Sequence, residues 1–339
     1  MDKYKEEILL MLKNGRISNE DAQKLLNSHT EYPLFSKSIK NLGYFLGLAV
    51  NDIIEKFHYL ITLELPEERN RIKKQSIWQE ELNEEVFKAD ISNVSSINLY
   101  SYNGNLSINT TPSNNFLITV SYRKKNLNGT FNLSNQNGNI SLNYSENLFK
   151  NVHINALIPK TIFNKLSIGA INGNIFVQNI LSQMIYCNSK NGEIFLEDIN
   201  FNGINIDSLN VQSHLLNIKG ENLNIKSSNG NTIIKNFDIE NINISNISSN
   251  ITLNDPVTNN YIKYKWCIKT KRGNLSINKI SMLNLGIYLK AIGVPKINLK
   301  IPILRSYPNY VEKKSNFFDI RDKQLIINAK TTKGIVKIT

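Results

Sequence analysis

One short phrase, an Asn-Gly pair followed by alternating apolar residues, returns through residues 165–280 and restricts the possible folds more than any other feature. It reads Asn172-Gly173-Asn174-Ile175, Asn191-Gly192-Glu193-Ile194, Asn229-Gly230-Asn231 with Ile233, Ser249-Asn250-Ile251, and Gly273-Asn274-Leu275. Counted between turn positions, the steps are 19 from Gly173 to Gly192, 21 to Ser213, 17 to Gly230, 19 to Ser249 and 24 to Gly273. A period near twenty with unequal insertions is the signature of a solenoid.

Asn-Gly tolerates the positive φ of a tight corner, and the alternation after it sends every second side chain to one face. Ile175 with Val177, Ile194 with Leu196, Ile251 with Leu253, and Leu275 with Ile277 therefore point inward. Between corners, Ile204 with Ile206, Leu209 with Val211, Leu216 with Ile218 and Leu223 with Ile225 continue as short strands, roughly three to a coil. A period of two, with Asn and Ser between Ile and Val, excludes a helix here. Coils stacked about 4.8 Å apart would let equivalent Asn side chains bond to one another up the stack. Asn172, Gly173, Asn191, Gly192, Asn229, Gly230, Asn250 and Gly273 are thus expected to be structural turn residues.

The fold class expected is mainly β: a single-stranded, β-helix-like solenoid behind a small N-terminal α-helical hairpin and an amphipathic helix. Residues 1–30 predict the hairpin. A helix over 2–14 ends at Asn14-Gly15, and a second opens at Ser18 with Asp21 in capping spacing. Residues 31–85 predict an amphipathic helix from Phe35 to Ile61, with Gly43 and Gly47 permitting close approach, then a charged helical linker from Pro66 to Glu85. Strand text starts near Val86. The solenoid, 86–339, divides into an N-terminal cap (86–164), where the turns at Gly104 and Gly138 are 34 apart, regular coils (165–280) and a basic C-terminal cap (281–339). The cap closes on a last repeat-like phrase, Gly334 to Ile338.

Net charge is +12, carried by one region. Residues 1–90 hold 13 basic and 16 acidic side chains and residues 91–259 hold 10 and 9, whereas residues 260–339 hold 17 basic against 3 acidic. Cys187 and Cys267 read as buried free thiols. The mixed charge of residues 1–7 is unlike a signal peptide, and no stretch has the roughly 18 apolar residues of a membrane span. The expected location is cytoplasmic, at most peripheral to a membrane.

Two features together, Glu7-Ile8-Leu9 through Asn14-Gly15-Arg16-Ile17-Ser18 with Ala22 and Leu25-Leu26, and the later Asn-Gly-x-Ile-x-Val phrase, resemble the YvlB and LiaX type of bacterial protein. Ile158-Pro159-Lys160 ahead of Leu166, Ile168 and Asn172-Gly173 adds to the likeness. The resemblance covers residues 1–30 and roughly 87–339. It implies a SHOCT-like oligomerisation hairpin joined to a putative-adhesin β-strand-repeat domain of unknown function, a link to cell-envelope stress, and no catalytic residues. Where that family often has Asp after the turn glycine, this chain has Asn174, Asn231, Asn250 and Asn274.

For chemistry, the carboxylates Glu197, Asp198, Asp207, Asp238, Glu240 and Asp255 are spread over several coils and share no slot, so acid–base or calcium work is not favoured. His29, His58, His153 and His214 have no ligand at metal spacing, and His214 falls where neighbouring coils place Asn174 and Asn231. No catalytic, cofactor or metal residues are expected. The basic segment offers Lys263, Lys265, Lys269, Lys271 and Arg272, with Trp266 among them, as contacts to an anionic partner. The reading is a non-enzymatic scaffold or binding protein. It forms a homo-oligomer or docks a protein partner through residues 1–62, and it meets an anionic membrane surface or envelope polymer. The alternatives are a carbohydrate-active β-helix enzyme and, less favoured, a nucleic-acid binder.

Overall fold

The computed structural model describes residues 83–339, except 91–93, 113–114, 126–127 and 282–284. The chain divides into two units, Met1–Trp78 and Gln79–Thr339. The expected hairpin, the amphipathic helix, His29, His58 and nearly all of the charged linker lie outside the described residues.

Strand β1 (Asn83–Asp90) begins three residues earlier than the expected onset at Val86. It pairs antiparallel with the later strand Asn115–Lys124, and the Tyr122 hydroxyl donates to the Glu85 carboxylate at 2.5 Å. That bond gives charged text at the linker's end a place in the sheet.

The first complete coil is β2 (Ser96–Asn103) with β3 (Leu106–Thr111). An excursion follows, β4 (Asn115–Lys124), β5 (Asn132–Gln136), β6 (Asn139–Asn143) and β7 (Phe149–Pro159). The stack resumes with β8 (Ile162–Asn172), β9 (Ile175–Gln178), β10 (Leu181–Glu197), β11 (Asn200–Asn229), β12 (Thr232–Ser248) and β13 (Ile251–Pro256). It continues with β14 (Lys263–Arg272) and β15 (Leu275–Asn278). A second excursion, β16 (Leu285–Ile297), β17 (Ile303–Tyr307) and β18 (Tyr310–Lys314), precedes the final coil, β19 (Lys323–Ile338).

Successive coils pair parallel and in register, which fixes the architecture as a β-solenoid. One interior column runs Leu106, Ile175, Ile194, Ser213, Thr232, Ile251, Leu275 and Val336. The column two residues on, Ile108, Val177, Leu196, Leu215, Ile234, Leu253, Ile277 and Ile338, is wholly aliphatic and buried. A third includes Ile225, Ile244, Ile268 and Ala329. The ladder between β10 and β11 skips Gln183 and Lys190 and stops at Glu197. Each coil is thereby cut into three straight segments, as the strand text implied.

The period is more regular than the sequence suggested. Gly192 pairs with Val211, not Ser213, and the amide bonds that link Asn172, Asn191, Asn210 and Asn229 each span 19 residues. Ser213 was misplaced because serine is a common turn residue. It lies two residues later and points into the core with Ile194 and Thr232. The Val211 corner has ordinary negative φ, so no glycine marks it. At Gly230, by contrast, φ is +107 and a Cβ would sit 2.1 Å from the Val211 carbonyl oxygen.

The 24-residue step follows from the connection over 257–262, which holds β14 one coil away from β12. The long steps have another origin. Asn103 bonds to Asn172, 69 residues away, so Asn103-Gly104 is a regular corner and the intervening excursion folds beneath it. There β4 lies antiparallel to both β1 and β7, and β6 runs parallel to β2 with β5 antiparallel to it. Asn137-Gly138, with φ of 51 and 76, is the hairpin turn of β5 and β6, so the 34-residue spacing is not the length of a coil. At the other end β19 inserts between β14–β15 and β16. The phrase Gly334 to Ile338 is therefore a regular coil, and the end cap on top of it comes from earlier sequence.

Candidate binding face

The expected turn residues form hydrogen-bonded columns on the outside of the solenoid. Each Nδ2 donates to the Oδ1 of the coil before: Asn172 to Asn103 at 2.8 Å, Asn191 to Asn172 at 2.8 Å, Asn210 to Asn191 at 3.1 Å and Asn229 to Asn210 at 2.9 Å. The residue after the corner does different work. Oδ1 of Asn174, Asn231, Asn250 and Asn274 each accepts a backbone N–H from the next coil, those of Glu193, Asn250, Asn274 and Ile335. A third column, Asn179, Asp198, Asn217, Asn236 and Asp255, sits at the other corner with φ between 52 and 59. Asn and Asp tolerate that left-handed geometry because their short polar side chains bond locally. There Asn217 donates to Asp198 at 3.0 Å and Asn236 to Asn217 at 2.6 Å.

Toward the C-terminal end the first column changes chemistry. Asn229 pairs with Ser248, Ser248 with Arg272, and Arg272 with Lys333. Lys269 lies beside Lys330 in the same way. Lys263, Lys265, Lys269, Lys271, Arg272, Lys330 and Lys333 are all exposed. Among the described residues no carboxylate forms an ion pair with any of them, whereas Lys279 is bound to Asp255 at 2.8 Å. The face gains Lys330 and Lys333 beyond the expected contacts. Their signal in the sequence was Lys330-Thr331-Thr332-Lys333, which repeats Lys269-Thr270-Lys271-Arg272 one long step later.

Trp266 is the correction. It is fully buried, its Nε1 donates to the Ile239 carbonyl at 3.1 Å, and it packs on Phe237. Tyr264 is buried beside it and donates to Asp238 at 2.9 Å. Burial is the first cause that pushes the Tyr264 phenol up, with the Asp238 carboxylate adding to it. Neither ring is available to stack on a ligand.

Asp238 and Glu197 serve the frame. Asp238 is 1% exposed and also accepts the backbone N–H groups of Asn259 and Asn260. Glu197 accepts from Gln178 at 2.7 Å. His214 pairs with Phe195 and Ile233, two residues past the slot expected for it, and stacks on Phe195 at 4.8 Å, which stacks on Phe176 at 5.1 Å. Cys187 is buried, which pushes its thiol up; Cys267 is half-buried. Among the described residues no group of three His, Cys, Asp or Glu could hold a metal ion, and no helix is long and apolar enough to cross a membrane.

A second feature had no local signal. An open cleft of about 480 Å³ at the N-terminal end of the amide column is lined by Asn103, Gly104, Lys125, Lys150, Asn151, His153 and Asn172. His153 accepts the Asn105 N–H through Nδ1 at 3.2 Å, and desolvation lowers its pKa. The lining is rich in donors and has no carboxylate. Its residues are brought together only when the excursion folds under the first coil.

No curated protein matches the chain. Similar solved structures include a putative adhesin from Bacteroides fragilis, 11% identical with a TM-score of 0.40 over 77% of this chain and 99% of that one. A putative lipid binding protein from Parabacteroides distasonis is 10% identical with a TM-score of 0.37 over 76% and 97%. A putative cell adhesion protein from Clostridium sporogenes is 11% identical with a TM-score of 0.25 over 76% and 99%. Residues 90–279, more than half of the chain, match the model of the Toastrack DUF4097 family, and the chain belongs to that family.

Proposed function

We propose that this is a non-enzymatic binding protein whose solenoid presents the basic face of β14 and β19 to an anionic envelope surface. The observation that supports it is the juxtaposition of Lys269 with Lys330 and of Arg272 with Lys333 on adjacent strands, with no carboxylate among the described residues paired to them. Like charges on neighbouring strands destabilise a sheet, and an external anion relieves that repulsion. With Tyr264 and Trp266 inside the core, β14 and β19 themselves present cations with no ring between them, which suits clustered phosphate or carboxylate groups better than single-stranded nucleic acid. Self-association through residues 1–62 and a role in cell-envelope stress form the second part of the reading, supported by the resemblance of residues 1–30 to the SHOCT hairpin.

Co-sedimentation with phosphatidylglycerol vesicles, phosphatidylcholine vesicles, a soluble polyanion and single-stranded DNA across a salt titration tests the first part. Binding to the anionic vesicles that weakens with salt is expected. Equal binding to neutral vesicles, or preference for DNA, would overturn it. For the second part, light scattering should give a smaller assembly for a chain lacking residues 1–62; unchanged mass per chain would count against it.

A further inference from the structure

We infer that β16, β18 and β17 form a membrane-interface element, which enters the boundary of an anionic bilayer by the β17 edge, with Ile303 and Tyr307 on opposite sides of that strand and Leu304 at its bulge, while the basic face behind it holds the headgroups. The inference rests on the binding face proposed above and extends it, because the register makes the row that ends in Tyr307 continuous with that face; Ile303 pairs with Lys313 in the row of Leu289 and Ile327 and leaves the edge strand on the other side, beyond those buried neighbours. Lys269 pairs with Lys330, Lys330 with Ile292, Ile292 with Tyr310, and Tyr310 with Tyr307. One outward row thus passes from cations to aromatic rings. The next row is Asn328, Lys290, Glu312 and Arg305.

Every residue of β17 is exposed, with Ile303 at 60%, Leu304 at 53% and Tyr307 at 64%. Residues 285–314 contain six basic side chains and one acidic, Glu312. That acid is already engaged: the Tyr288 and Tyr310 hydroxyls donate to it at 2.5 and 2.7 Å, and Arg305 lies 4.0 Å away. Lys290 sits over the Tyr310 ring at 5.7 Å, and Tyr307 meets Tyr310 at 5.9 Å. Tyrosine with Lys and Arg beside exposed aliphatic residues is the composition of a membrane interface.

Another chain adding a strand at the β17 edge is disfavoured, because Pro302 and Pro308 flank it and neither has an N–H to donate. Charge complementarity selects the leaflet: the same face that repels cationic lipid concentrates phosphatidylglycerol.

The full chain carrying Ile303→Ser and Leu304→Ser, with Tyr307→Trp as a separate reporter, is to be measured on phosphatidylglycerol-containing vesicles and on a soluble polyanion. Burial of an aliphatic side chain accounts for about a tenfold change in affinity or more. The double serine variant should therefore bind vesicles about 10-fold to 100-fold more weakly and the polyanion as wild type does. Tyr307→Trp should shift its emission to the blue on vesicles alone. Wild-type vesicle affinity in the serine variant, or no shift from the tryptophan, overturns the interface element and leaves the basic face standing. Failure of the wild-type chain to bind vesicles and polyanion alike overturns both. Both exchanges are at exposed positions, and unchanged thermal melting would separate loss of contact from loss of fold.

Discussion

The same outer column is built in two chemistries at its two ends. From Asn103 to Asn229 the amides form an unbroken chain in which Asn172, Asn191 and Asn210 each donate to the one before and accept from the one after, so the column satisfies itself. From Ser248 onward the slot holds Arg272 and then Lys333, which are donors only and cannot bond to each other. An amide ladder stabilises coil stacking and needs nothing further. Stacked cations oppose coil stacking and require a counterion. The change of residue type at constant geometry therefore separates the frame of the molecule from the face proposed to bind.

The largest effect expected belongs to the corners that both ends share. Gly230→Val places a Cβ against the Val211 carbonyl at a φ of +107 and should cost on the order of 3 kcal/mol or more. Val211 occupies the equivalent slot with ordinary φ, so Val211→Ala, which adds no strain, should cost clearly less in the same thermal melt. Next, Ile225→Ala in the shared core should cost about 2 to 5 kcal/mol through cavity formation. Chemical denaturation would measure it, and a loss too small to detect would mean the Ile225 and Ile244 column is not packed as described.

Within the column, Asn210→Ala removes one donor and one acceptor at an exposed rung and should cost about 1 kcal/mol. The counterpart at the basic end has the opposite sign. Lys269→Asn with Lys330→Asn should leave melting unchanged or raise it, and added salt should stabilise the wild type more than this variant. A fall in stability would show that those lysines belong to the frame after all.

The smallest effect is one of pH. The bond to Glu312, followed by burial, pushes the Tyr288 phenol up from 10 to about 12. A raised folded pKa gives stability that is intact below pH 10 and lost as pH climbs toward about 12. The cluster also holds Glu312 below its usual range, so its contribution is lost as pH falls through that depressed pKa. Tyr288→Phe should flatten both limbs of a melting curve measured against pH.

Glycine corners and aliphatic alternation were legible because each reflects one local requirement, a positive φ or a two-residue period. Val211 was not, since its corner needs neither, and serine at 213 looked more like a turn. The excursions were misread for a different reason. Asn137-Gly138 and Asn103-Gly104 share a phrase while one closes a hairpin and the other a coil, and only long-range pairing tells them apart. Trp266 could have been placed from the sequence: in Lys263-Tyr264-Lys265-Trp266 a period of two puts both rings inside and both lysines outside. The cleft at Lys125, Lys150 and His153 had no such signal, because its parts are joined by folding alone. The reading of the later repeats as a domain of unknown function built on β-strand repeats agrees with the family found over residues 90–279, whereas the SHOCT-like hairpin lies outside the described residues.

The most direct test is to rebuild the basic stretch in the chemistry of the amide stretch, replacing Lys269, Arg272, Lys330 and Lys333 by Asn together, and to measure co-sedimentation with phosphatidylglycerol vesicles at low salt. Loss of vesicle binding by a chain that melts at or above the wild-type temperature is the predicted result. Undiminished binding by that folded chain would contradict the account.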